Sequence, residues 1–231
     1  MKTVRINKHM ADMGLSSRRE ADELISAGKV FVNNVKAVQG QQIDPLVDKV
    51  QLRALKQSLT YYAYNKPIGV VTTGAQGDEE DILNHTVFKK AVFPVGRLDK
   101  DSHGLILMTN DRRITHRLLD PKFEHEKEYR VTLKGRIHDT FTKTLARGVK
   151  IDGERTKPVT IMRESEKTFR IILKEGRNRQ IRRMVEAAGD TVVDLLRLRI
   201  EHIKLNDLKD GSFRALSGAE VSTLLRKLGL K

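Results

Sequence analysis

The sequence predicts an α+β protein in which a small N-terminal unit of two helices and a hairpin precedes a larger domain, built on a largely antiparallel mixed sheet with flanking helices. Three observations carry this reading. The first 50 residues hold two helix-period apolar patterns, each closed by a glycine, and then a turn flanked by valines. Beyond residue 60, strand-like and helix-like segments alternate. The chain has 231 residues, 39% of them hydrophobic, enough for one large domain plus a small one.

In chain order, Ile6, Met10 and Met13 recur at i, i+4 and i+7 and Gly14 supplies a stop, which predicts a short amphipathic helix. Ser17 and Glu20 form an S-x-x-E capping box for a second helix, with Ala21, Leu24 and Ile25 on one face and Gly28 at its end. Residues 30–32, Asn33-Asn34 and Val35 onward read as a hairpin. The stretch 52–60, LRALKQSLT, has no strong period and reads as a linker, dividing the chain into residues 1–56 and 57–231. In the second part, residues 61–64, 105–108, 129–133 and 169–173 look like strands. Residues 179–188 predict a helix burying Ile181, Met184, Val185 and Ala188. A last helix opens on a Ser217/Glu220 capping box and carries Val221, Leu224, Leu225 and Leu228 inward.

With 44 Lys+Arg against 30 Asp+Glu, the formal charge is +14. Residues 1–60 carry ten Lys/Arg and six Asp/Glu, net +4, so +10 falls on the rest. Such a surface attracts polyanions, nucleic acid before all others. The absence of cysteine excludes disulfides, a thiolate nucleophile and a cysteine zinc site. No stretch approaches the roughly 18 apolar residues of a membrane helix, and the first residues lack the apolar core of a signal peptide. A cytoplasmic protein without membrane contact is the expectation.

The densest candidate for chemistry is GRLDKDSHGL, residues 96–105, where Asp99 lies between a glycine-arginine turn and an apolar strand. Asp99, Asp101, His103 and Gly104 superficially match a calcium loop, but the twelfth position is Asn110 rather than Glu, and the segment runs straight into the strand. No metal is expected. A lone Asp in a turn is usually structural. So are a basic helix face and a buried tyrosine, although Tyr129 is the only one of four tyrosines outside positions 61, 62 and 64.

Two resemblances sharpen these readings. RINKHMADMGLSSRREADELISAGKVFVNNVKA, residues 5–37, resembles the S4 RNA-binding domain. That resemblance implies an RNA-docking module, with Arg5, Lys8, Arg18, Arg19 and Lys29 toward the backbone. GRLDKDSHGL resembles the catalytic motif of pseudouridine synthases, and its preceding glycine is similar to the group of RsuA, RluB, RluE and RluF, nearest the RluF branch. NKPIGV (65–70), HEKEYRVTL (125–133) and EGRNRQIRRM (175–184) resemble the group's other motifs, in the expected order.

The resemblance implies that Asp99 is the essential carboxylate, acting as nucleophile or as base on the sugar, with Arg182 as its cationic partner. It implies that Tyr129 stacks on the target uracil and helps remove the C5 proton, and that Arg97 fills the site vacated by the extruded base. Lys66, Arg177, Arg179 and Arg183 are expected RNA contacts. The reaction neither gains nor loses atoms, so no redox cofactor is needed. The implied partner is ribosomal RNA or a pre-ribosomal particle, met by a monomer. Large-subunit 23S RNA is favoured because GRLDKDSHGL and HEKEY are most similar to the RluF branch, while small-subunit 16S RNA is the runner-up because DRRITHRLLD (111–120) resembles the small-subunit branch as much as any other. Transfer RNA is a further candidate, and a non-catalytic S4-domain protein is the alternative from another class.

Overall fold

In the computed structural model of the protein, residues 3–52, 59–86, 88 and 91–230 are described. They form two compact units, residues 1–59 with 111–116, and residues 60–110 with 117–231. The expected division at 56/57 and most of the linker before it lie outside the described residues.

The first unit contains β1 (Val4–Arg5), α1 (Ile6–Asp12), α2 (Arg18–Ser26), β2 (Val30–Val32), β3 (Val35–Lys36), β4 (Gln42–Ile43) and β5 (Val50–Leu52). β1 pairs with β4, and β2 pairs antiparallel with both β3 and β5. The Ser17 hydroxyl accepts from the Glu20 amide while Glu20 accepts from the Ser17 amide, so the capping box starts α2 as expected. The hairpin turns on Asn33 and Asn34, with φ of 49° and 68°, which asparagine tolerates better than most residues. Ile6, Met10, Ala21, Ile25, Val30 and Val32 enclose the core with Ala37 and Ile43. Met13 departs from expectation. α1 stops at Asp12 with Met13 as its cap, which swings that side chain out to 57% exposure.

The second unit contains β6 (Tyr61–Lys66), α3 (Ile82–His85), β7 (Phe93–Val95), β8 (His103–Thr109), α4 (Arg113–Leu119, which straddles the division), β9 (Lys127–Leu133), α5 (Asp139–Ala146), β10 (Lys150–Ile151), β11 (Glu154–Arg155), β12 (Thr160–Arg163), β13 (Thr168–Leu173), α6 (Gln180–Ala187), β14 (Val192–Ile200), β15 (Ile203–Lys204), β16 (Phe213–Ala215) and α7 (Gly218–Lys227). Its main sheet runs β12-β13-β9-β14-β8-β6-β16, with β7 on β8 and β15 on β14. Every pairing in it is antiparallel except β14 with β8.

α5 and α6 bury Phe141, Leu145, Ile181, Met184 and Val185 against Val131, Phe169, Ile171 and Leu195 of the sheet. A second cluster gathers Tyr62, Tyr64, Ile106 and Met108 with Val70 and Ile82. Burying such side chains is worth roughly 1.5–3 kcal/mol each. α7 begins on the predicted Ser217/Glu220 box and buries Leu224 and Leu228.

The four expected strands are present, yet the central strand β14 was not legible. Its ladder with β9 shifts register between Val192 and Asp194 and again between Arg197 and Arg199. These irregularities break the period-2 alternation from which a strand is read, and one inward position is an arginine.

Candidate active site

Asp99 sits in the turn between β7 and β8, and its carboxylate side chain is 30% exposed. The turn is pinned on several sides. The Thr72 hydroxyl donates to the Leu98 carbonyl at 2.7 Å and accepts from the Leu98 amide at 3.0 Å. The Gly69 amide donates to the Lys100 carbonyl at 2.9 Å, and the Ser102 amide closes back on the Asp99 carbonyl at 3.1 Å. Gly96, with φ of +83°, turns the chain where a Cβ would stand 2.9 Å from the Leu119 side chain. Asp99 is thus held on a rigid frame with its carboxylate open to solvent.

Two arginines of the 175–184 segment converge on this turn, but in different roles from those expected. Arg182 does not oppose Asp99. Its Nη2 donates to the Asp101 carbonyl at 2.7 Å and to the Ser102 hydroxyl at 3.2 Å, and its Nε lies 3.3 Å from the Asp101 carboxylate. The guanidinium therefore braces the turn from below. Among the described ion pairs, the cation beside Asp99 is Arg179, whose Nη1 is 3.7 Å from Asp99 Oδ2 while it grips Asp101 through two bonds of 3.0 and 2.8 Å. These hydrogen bonds from Arg179, helped by the charge of Arg182, hold the Asp101 carboxyl below the usual carboxylate range. Arg179 caps α6 with φ of +47°, a left-handed conformation unusual for a side-chain-bearing residue.

Lys66 is a correction. Read as an RNA contact, it is wholly buried, and its ammonium donates to the carbonyls of Pro67 at 2.8 Å and Val70 at 2.6 Å. It closes the 67–70 turn from inside, so its charge is spent on backbone rather than offered to phosphate. Burial pushes it down to about 8, with Asp101 and Asp99 opposing that fall and Arg197 adding to it.

Tyr129 is half-buried on β9 and packs against the α5/α6 core cluster. Opposite it on β14 is Arg197, 3% exposed, whose guanidinium carbon lies 5.9 Å from the Tyr129 ring centre. Arg197 was missed in the sequence because it sits inside an irregular strand, outside every recognised motif. A faint signal was available: an arginine flanked by leucines in VVDLLRLRI. Gly104 lets β14 approach β8, since a Cβ there would meet the Arg197 carbonyl at 2.5 Å and its amide at 2.7 Å.

The remaining cations are arranged as follows. Arg97 is exposed beside the turn. Arg177 bridges toward Glu154 at 3.2 Å and the Arg155 carbonyl at 3.3 Å, and Arg183 pairs with Asp152. Within the first unit, Arg5, Lys8, Arg18, Arg19 and Lys29 are all exposed. A cavity of about 720 Å³ on the Gly69 and Lys100 side of the turn is lined by Asp78, Glu79, Glu80 and Asp210. That charge repels a phosphate backbone. Among the described residues no group of His, Cys, Asp or Glu could hold a metal ion, and no helix is long and apolar enough to cross a membrane.

A carboxylate on a braced turn, a phenol facing a buried arginine and a basic helix terminus are features that chemistry on an anionic polymer would use. Comparison with known proteins agrees. Residues 60–187 match the family model of RNA pseudouridylate synthases, and residues 4–45 match that of the S4 domain. The chain is 40% identical over 97% of its length to the dual-specificity RNA pseudouridine synthase RluF of Escherichia coli K12, covering 79% of that protein. It is 34% identical over its whole length to an uncharacterized RNA pseudouridine synthase of Aquifex aeolicus, covering 97% of it. A crystal structure of a pseudouridylate synthase superposes with a TM-score of 0.72 at 29% identity, over 96% of this chain and 99% of that one. The chain belongs to the RNA pseudouridylate synthase family. It is an isomerase that binds RNA and carries an S4 domain.

Proposed function

We propose that the enzyme isomerises a specific uridine of 23S large-subunit ribosomal RNA, working as a cytoplasmic monomer on that RNA or on a pre-ribosomal particle. The observation that carries the reading is Asp99: a solvent-open carboxylate on an otherwise fully braced turn, in a chain aligned over 97% of its length with RluF. In this reading Asp99 acts on the ribose as the N1–C1′ bond breaks. The uracil turns, C5 joins C1′, and the C5 proton leaves while N1 gains one, so atoms and charge balance. Tyr129 stacks on the base and assists loss of the C5 proton. Arg182 holds the turn through Asp101 and Ser102, and Arg179 supplies positive charge next to Asp99.

A stacked uridine cannot reach this carboxylate, so the base must be extruded at a cost of a few kcal/mol. Arg97 is suited to fill the vacated position, and the exposed Arg5, Lys8, Arg18, Arg19 and Lys29 to dock the backbone. The test is to map pseudouridines in ribosomal and transfer RNA from a strain lacking the gene. Loss of one or more 23S positions, restored by the wild-type gene, is the expected result. Loss confined to 16S or transfer RNA, or no loss, overturns the substrate assignment. The RluF relatives are called dual-specificity RNA pseudouridine synthases, so loss of a second RNA position alongside the 23S one fits the reading.

A further inference from the structure

Among the described residues, Arg197 is the most deeply buried arginine. It is 3% exposed, and its Nε donates to the Leu105 carbonyl at 2.5 Å. Its Nη1 reaches the Arg97 carbonyl at 3.4 Å and the Tyr129 hydroxyl oxygen at 3.5 Å. Its Nη2 is buried without a hydrogen-bond partner. The one guanidinium thus touches the strand after the catalytic turn, the turn itself two residues before Asp99, and the tip of Tyr129.

This arrangement is costly. A guanidinium does not shed its charge in a protein. An orphaned buried donor is destabilising, and a well-packed apolar side chain is often at least as stable as a buried ion. Arg197 also imposes its charge on its surroundings. Lys66 and Lys127 are both pushed down to about 8, chiefly by burial, and Arg197 contributes in each case. Stability alone does not account for a third cation there. What only a planar, multiply donating group supplies is a fixed distance between separate pieces of the site.

We propose that Arg197 is a positioning residue for the isomerisation: it sets the Tyr129 hydroxyl against the turn that carries Asp99, and so aligns the phenol with the C5 proton it helps remove. This rests on the reading of Tyr129 given above. Arg197 acts through Tyr129, so its loss slows proton removal without weakening RNA binding. A lysine retains the charge but cannot span the Leu105 carbonyl, the Arg97 carbonyl and the phenol at once.

The experiment measures single-turnover rates with RNA carrying hydrogen or deuterium at C5 of the target uridine. The proteins are full-length wild type, Arg197→Lys, Arg197→Gln, Tyr129→Phe and the Arg197→Lys/Tyr129→Phe double variant. An isotope effect is a ratio of rates, so it does not depend on how much of a variant is folded. The expected result is a rate at least tenfold lower and a larger isotope effect for both Arg197 variants and Tyr129→Phe, with RNA Kd within twofold. Adding Arg197→Lys to Tyr129→Phe should cost less than twofold more, since the residue it serves is already disabled. If Tyr129→Phe raises the isotope effect while the Arg197 variants do not, or if the two losses multiply, the proposal is overturned and the Tyr129 reading stands. If Tyr129→Phe leaves the isotope effect unchanged, the Tyr129 reading fails and takes the proposal with it.

Discussion

The Thr72 hydroxyl and the Leu98 backbone exchange two hydrogen bonds, of 2.7 and 3.0 Å, immediately before Asp99, the proposed catalytic carboxylate. Both partners are buried. Thr72→Val keeps the shape and leaves the Leu98 amide and carbonyl unsatisfied, which should cost about 1–3 kcal/mol of stability. Displacing a reacting group by an ångström costs on the order of a hundredfold in rate. Single-turnover assays should therefore show a loss of that order in Thr72→Val, with RNA affinity intact and recovery in Thr72→Ser. A Thr72→Val enzyme with full activity would show that the turn holds its shape without this contact.

Gly104 gives a steric prediction. With φ of +105° and the Arg197 backbone within 2.7 Å of where a Cβ would stand, Gly104→Ala must push β14 from β8. Overpacking of this kind typically costs about 1–3 kcal/mol. Denaturant melts should show at least that loss, accompanied by lower activity, because Arg197 moves with its strand. Unchanged stability would refute the tight β8–β14 contact.

Lys66 predicts a pH effect of defined sign. Its folded value, about 8, lies below the usual 10.5. Between these values the folded protein has released the proton and the unfolded chain still holds it, so stability rises with pH across that window. Below pH 8 the charging penalty is present in full. Comparing wild type with Lys66→Met, which cannot titrate there, the stability difference should shift in favour of wild type from pH 8 to 10.5 and be flat below pH 7. A flat difference throughout would contradict a buried, depressed lysine.

In the first unit, Arg18 and Arg19 stand exposed at the start of α2. If each meets one phosphate, the slope of log affinity against log salt should fall by about 0.7–0.9 per residue removed. Arg18→Gln with Arg19→Gln should weaken RNA binding most at low salt and flatten that slope by roughly twice this amount. An unchanged slope would place the docking contacts elsewhere.

What could be read in advance followed local physical rules. The Ser17 and Ser217 capping boxes and the Asn33-Asn34 turn each need only neighbours in sequence, and each formed as expected. The group resemblance located the turn of Asp99 on the same basis. The misreadings concern direction and burial. Lys66 looked like a free cation, but the fold closes the 67–70 turn over it. Arg182 and Arg179 are three residues apart near one helix end, and only the packed structure decides which faces Asp101 from below and which approaches Asp99. Thr72 and Arg197 were invisible because their partners, Leu98 and Tyr129, lie 26 and 68 residues away.

The central claim is that Asp99 performs the chemistry on RNA bound by the rest of the protein. The direct measurement is pseudouridine formation by purified Asp99→Asn on ribosomal RNA from a strain lacking the enzyme, with RNA affinity measured on the same preparation. The account predicts no pseudouridine and an affinity within a few-fold of wild type. Pseudouridine formed at the wild-type rate by Asp99→Asn would contradict it.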